Sequence, residues 1–263
     1  ARGPRRFQVG LITTSVSMEP SSPLLSLRGI GKHFGRLAVL RGLDLDLASG
    51  EVVGLIGANG AGKSTLLSII AGLMPPSRGE RRFEGSESVD LRERARFAVV
   101  SHTAQTYPRL TALENLELFA KLRAQAGAHS EPLLPTLDRL GLAYAADRQA
   151  GTFSRGMLQR LALARALLGR PEMLLLDEPF TALDRPGRAL LAGVLAEERD
   201  RGAAILLVSH DLEALVSVAD RVVLLEGGVI AGEVARTADH DAFGFQVREL
   251  AGRMPAVGSE THA

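Results

Sequence analysis

Residues 51–65, EVVGLIGANGAGKST, constrain this chain more than any other stretch. A short apolar run meets G-x-x-x-x-G-K-[ST] and then a helical pattern, which is the phosphate-loop arrangement. Gly57, Gly60 and Gly62 let the backbone wrap tightly, so that the N–H groups of Gly57, Ala58, Asn59, Gly60, Ala61, Gly62, Lys63, Ser64 and Thr65 can face phosphate oxygens. Lys63 can reach β and γ phosphates, and Ser64 can ligate Mg²⁺. Such a loop closes the end of a parallel strand, so the fold is expected to be α/β.

The rest of the pattern agrees. LLSLRGIGKHFG and AVLRGLDLDLASG alternate like half-exposed strands and predict an antiparallel flank. RFAVVSH, MLLLDEP and AAILLVSHD carry the continuous apolar runs of strands covered on both faces. RVVLLEGGVIAGE predicts a closing hairpin turning at Gly227-Gly228. Residues 105–170 are helical in pattern and read as a helical subdomain, with a capping box at Thr111–Glu114. Apolar residues make up 46% of the 263, enough for a large core. The absence of Cys excludes disulfides, thiolate metal sites and thiol chemistry, and a net charge of +1 argues against a nucleic-acid partner. No run approaches the roughly 20 apolar residues of a membrane span. Residues 1–23 are expected to be an unstructured or wrongly assigned extension. The first 18 hold three Arg and no acid, but their apolar part is too broken for an export signal, so Met18 reads as the start. Residues 236–263 read as a tail with no assigned element.

In open parallel sheets, ligands bind beyond the carboxyl ends of the strands. One apolar run ends in Asp177-Glu178. A carboxylate there needs a partner or a metal, so Asp177 suits Mg²⁺ and Glu178 suits a general base or water positioner. Another ends in Ser209-His210, which places His210 within reach of a γ phosphate. A third ends in Ser101-His102-Thr103. SRGMLQRLALARALL, residues 154–168, predicts a helix burying the face of Leu158, Leu161, Arg165 and Leu168. Ser154 is its N-cap, and Gly156 in its first turn weakens the helix but lets bare backbone N–H groups approach an anion.

Taken in order, these segments resemble an ABC-transporter nucleotide-binding subunit across residues 24–235. The resemblance rests on FSRGM at 153–157, MLLLDEP at 173–179, ALD at 182–184 and SHD at 209–211. It implies a P-loop ATPase that uses ATP and Mg²⁺ and works as a homo- or heterodimer. Each ATP would lie between one subunit's phosphate loop and the partner's Ser154 and Gly156. It further implies that Phe34 stacks on adenine and that Asp184 lies at the dimer seam. A separate integral membrane subunit would dock on residues 105–150 and hold the chain at the cytoplasmic face of a bacterial membrane. Two departures stand out. Phe153, Arg155 and Met157 replace members of the usual Leu-Ser-Gly-Gly-Gln signature, and the Q-loop region holds His102, Thr103 and, displaced, Gln105. His102 followed by LTALENL resembles haem-exporter ATPases of cytochrome c maturation, while SRGMLQR is also found in drug or lipid exporters.

Non-transport readings fare worse. A DNA-repair or chromosome ATPase needs a long coiled coil between Lys63 and Ser154, and no sustained heptad is present. An ABC translation factor carries two cassettes, and this chain has one. A GTPase needs an Asn-Lys or Thr-Lys motif, yet Gly31, Gly62 and Ala120 precede Lys32, Lys63 and Lys121. A regulator using the fold without turnover remains as the other class.

Overall fold

The computed structural model describes residues 22–87, 90–101, 105–125 and 127–254. His102 and Thr103, and nearly all of the 1–23 extension, lie outside them. The elements run β1 (Leu25–Phe34), β2 (Leu37–Leu47), β3 (Val52–Ile56), α1 (Lys63–Ile70), β4 (Arg78–Phe83), α2 (Leu91–Arg94), β5 (Phe97–Val100), α3 (Ala112–Gln125) and α4 (Leu133–Arg139). They continue with α5 (Arg155–Leu167), β6 (Met173–Asp177), α6 (Arg185–Asp200), β7 (Ala204–Val208), α7 (Leu212–Val218), β8 (Arg221–Glu226), β9 (Val229–Ala235) and α8 (His240–Ala251).

Six strands form the main sheet in the order β5-β6-β7-β3-β8-β9. All neighbours are parallel except β8 and β9, the expected hairpin. A second, antiparallel sheet has the order β2-β1-β4. The apolar runs of β3, β6 and β7 follow from burial on both faces. Leu174, Leu176, Ile205 and Leu207 pack into one core with α5, α6 and α7. Met173, Leu175, Leu206 and Val208 point the other way, into a core shared with α1 and the small sheet. Period-2 alternation assigns successive residues of one strand to different cores.

Local chemistry sets the helix ends. Helix α1 stops ahead of Pro75, because Gly72 adopts φ 65° and closes a Schellman turn with Gly72 N to Ile69 O at 3.0 Å and Leu73 N to Ser68 O at 2.9 Å. The capping box forms before α3: Glu114 N donates to Thr111 Oγ1 at 3.1 Å and Thr111 N donates to Glu114 Oε2 at 2.8 Å. Thr111→Ala is expected to lower the unfolding free energy by about 1 kcal/mol, read as a shift of the urea midpoint with the slope unchanged.

The tail holds an element that the pattern did not announce. Asp239 caps α8 by accepting from Asp241 N at 3.0 Å and Ala242 N at 3.1 Å, and Phe243, Val247 and Leu250 are buried. Among the described residues no helix is long and apolar enough to cross a membrane.

Candidate active site

Because β6, β7 and β3 are neighbours, the loops at their carboxyl ends converge. Together they line an open cleft of about 560 Å³ that includes Asn59, Lys63, Ser64, Asp177, Glu178 and His210, with Leu37 and Val39 as an apolar wall. Lys63 curls over its own loop, donating from Nζ to Gly57 O at 2.7 Å and Ala58 O at 3.0 Å. Burial lowers its pKa from the ordinary lysine value, against the opposing pull of Asp177 and Glu178. An ammonium held by two carbonyls in a partly desolvated loop gains most from an incoming polyanion.

Glu178 has φ 54°, a left-handed conformation uncommon for a residue with a side chain. Its N–H donates to Val208 O at 2.9 Å, locking it to the end of β7. His210 N donates to Glu178 Oε1 at 2.9 Å, and Ser209 Oγ donates to Oε2 at 3.2 Å. The His210 ring is exposed, with Nε2 3.7 Å from Glu178 Oε1. Both carboxylate oxygens are thus aimed by the loop after β7. Ser209 is buried, and its role was hidden in the sequence except for one signal, a hydroxyl directly after five apolar strand residues.

Ser64 and Asp177 share this cleft, and both offer the hard oxygen donors that Mg²⁺ takes. Among the described residues no cluster of three or more acidic or histidine groups could hold a metal unaided. That set fits an ion completed by substrate phosphates rather than by a protein cage.

Phe34, Gln105, Ser154, Gly156 and Asp184 do not line this cleft. Phe34 is 47% exposed on the β1–β2 turn, with Lys32 Nζ 5.5 Å from its ring centre, and pairs across the turn with Leu37 of the cleft wall. Gln105 offers its carbonyl to the Arg165 guanidinium, which lies over the Phe119 ring at 4.5 Å. These contacts explain an arginine on a face predicted to be buried. Ser154 caps α5 by accepting from Met157 N at 3.2 Å and is otherwise exposed. Gly156 has a second reason to be glycine: a Cβ there would stand 2.9 Å from Ala182 O. Asp184 caps α6, accepting from Gly187 N at 2.9 Å.

A glycine-wrapped lysine loop after β3 and an acid pair at the end of β6, two parallel strands flanking β7, define a P-loop nucleoside-triphosphate hydrolase. Residues 40–181 match the ABC transporter family, and the chain belongs to it. It is an ATP-binding ATPase whose hydrolysis is coupled to transport. It is 37% identical over 244 residues to an aliphatic sulfonates import ATP-binding protein of Pseudomonas syringae pv. tomato, covering 90% of this chain and 85% of that one. A solved ATP-binding subunit of an ABC transporter superposes with a TM-score of 0.73 at 30% identity, covering 86% of this chain and 99% of the other. A dimeric ATP-binding cassette bound to ADP and phosphate superposes with a TM-score of 0.68 at 27% identity, covering 82% of this chain and all of that one.

Proposed function

We propose that two copies of this cassette, or this chain and a second one like it, close around ATP and thereby drive a separate membrane subunit. The observation that carries this reading is the division of the site residues. Lys63, Ser64, Asp177, Glu178 and His210 share one cleft, whereas Ser154 and Gly156, shaped to meet an anion, stand outside it. Placed there, they suit a nucleotide held by another chain, and the related cassette solved as a dimer supports that arrangement. In it Gly57–Thr65 wrap the phosphates, Phe34 stacks on adenine, and Asp184 lies at the seam. Ser64 and Asp177 would hold Mg²⁺, which supplies charge neutralisation at the β and γ oxygens. Glu178, aimed by Ser209 and His210, orients the attacking water, and His210 meets the γ phosphate.

Residues 24–235 act as the ATPase unit, with 105–170 as its helical subdomain. Exposed Tyr107, Leu122, Leu134 and Tyr144 on that subdomain support docking of the membrane subunit there. Docking would hold the chain at the cytoplasmic face of a bacterial membrane. Cargo contacts then fall to the membrane subunit. The haem-export expectation rests on His102 and LTALENL, and the drug or lipid one on SRGMLQR, whereas the curated relative is named for sulfonate import. The chemistry of the membrane subunit, rather than any residue here, decides among them.

Mixing tests the shared nucleotide. Lys63→Ala spoils the phosphate loop and spares the α5 tip, while Ser154→Arg does the reverse. Each variant alone is expected to be inactive. Their mixture should recover ATPase activity, because a mixed dimer holds one intact composite site. A mixture no more active than its components, or a fully active Ser154→Arg, overturns the reading.

A further inference from the structure

The loop that aims Glu178 is itself held by a network running to the start of α6. Asp211 N donates to Ser209 Oγ at 3.1 Å. That contact occupies a lone pair and leaves the hydroxyl proton for Glu178 Oε2. Asp211 Oδ1 accepts from Ala214 N at 3.0 Å and so caps α7. Its second oxygen, Oδ2, is free for another task and forms an ion pair with the Arg188 guanidinium. Arg188 sits in the first turn of α6, and its Nε donates to Leu183 O at 3.3 Å, in the turn that Asp184 closes.

An isolated half-exposed ion pair contributes little stability. This one closes a continuous path from the Leu183–Asp184 turn through Arg188, Asp211 and Ser209 to the carboxylate of Glu178. We infer that Arg188 is a positioning residue for hydrolysis: by holding Asp211 against α6, it keeps Ser209 and His210 on the two oxygens of Glu178. The inference rests on the reading of Glu178 as the group that orients water. Without the guanidinium, Asp211 keeps its cap but loses its lateral anchor. Residues 209–211 then move, and Glu178 spends less time aimed into the cleft. The phosphate loop, built on β3 and α1, is untouched, so the loss falls chiefly on turnover, and ATP affinity changes only by what the His210 contact contributes.

Steady-state ATPase assays of the full-length chain read this directly. Arg188→Met keeps the stem and removes the charge; Asp211→Asn keeps a competent cap and removes the ion pair. Each is expected to lower kcat by about tenfold, since small misplacements of a reacting group cost up to ~10²-fold. KM for ATP stays within about threefold, because the phosphate loop that carries most of the ground-state binding is unchanged. The double variant should lose no more than either single one, as expected for residues acting through one contact. Arg188→Lys, which retains the ion pair, should regain most of the rate. Wild-type kcat in Arg188→Met, a rise in KM at unchanged kcat, or additive losses in the double variant would each overturn the inference. Should Arg188→Met fail to fold, wild-type kcat in Asp211→Asn overturns it equally. Glu178→Gln assayed alongside separates two failures. If Glu178→Gln turns over normally, the role of Glu178 is wrong; if it is inactive while Arg188→Met runs at the wild-type rate, only the role of Arg188 is wrong.

Discussion

Glu178→Gln is expected to lower ATP hydrolysis by at least about a hundredfold, the lower end of what a positioned acid–base group contributes, while ATP still binds. The substitution is nearly isosteric. The amide oxygen can still accept from His210 N, but the NH₂ end cannot accept from Ser209 Oγ, and neither end can draw a proton from water. Lys63, Ser64 and the backbone of the phosphate loop lie outside the change, so nucleotide affinity should hold within a few-fold. Binding without turnover should trap the closed state. The variant is expected to elute as a stable dimer in ATP with Mg²⁺ and as a monomer without nucleotide, whereas the wild type passes through the dimer briefly. Normal turnover in Glu178→Gln would transfer the role to another group, with His210 the nearest candidate, 3.7 Å from the same carboxylate.

The main sheet was legible because its central strands are buried on both sides. β3, β6 and β7 are unbroken apolar runs, and each gives way to a residue with no apolar side chain: Gly57, Asp177, Ser209. Strand β4 was not legible. RGERRF offers no apolar run, and its buried Arg81 is tolerated only because Nε donates to Ile70 O at 2.8 Å and the guanidinium pairs with Glu93 at 2.7 Å. Neither partner is near in sequence. Helix α8 was obscured differently. Phe243, Val247 and Leu250 recur at helical spacing, but Gly244 and the exposed Phe245 interrupt the apolar face.

The site divides along the same line. Residues whose roles follow from type and strand position, namely Lys63, Ser64, Asp177, Glu178 and His210, come together in the cleft. Roles that depend on contact across the fold were hidden. Ser209 acts on an acid 31 positions earlier, and Gly156 is small partly because the Ala182 carbonyl crowds it. A glycine in a signature can therefore serve a partner's ligand and its own chain's packing at once, and only the structure separates the two.

Gly57→Ala is expected to weaken ATP binding by about a hundredfold, equivalent to roughly 2.7 kcal/mol, whereas Gly60→Ala costs less than about tenfold. The two loop glycines differ in what surrounds them. A Cβ on Gly57 would lie 2.4 Å from Leu225 O, while a Cβ on Gly60 would meet nothing within 4 Å. The obstructing atom is backbone, and it cannot yield like a side chain. Ile56 pairs with Leu224 in the β3–β8 ladder, so relieving the clash means breaking sheet hydrogen bonds or lifting the loop off the strand end. Overpacking of this kind costs about 1–3 kcal/mol. A lifted loop also carries the Gly57 and Ala58 carbonyls away from Lys63 Nζ, which they now hold at 2.7 and 3.0 Å. At Gly60 the only penalty is its φ of 80°, about 1–2 kcal/mol of folding stability for a residue with a side chain, and because the loop keeps its seat most of that strain does not reach ATP binding. Titration with a fluorescent ATP analogue gives both Kd values, and far-ultraviolet circular dichroism checks that the sheet survives. Only Gly60 of the two has a positive φ, so equal losses would mean that the close approach of β8 at Gly57 costs the loop no more than left-handed strain does at Gly60, and would overturn this ranking.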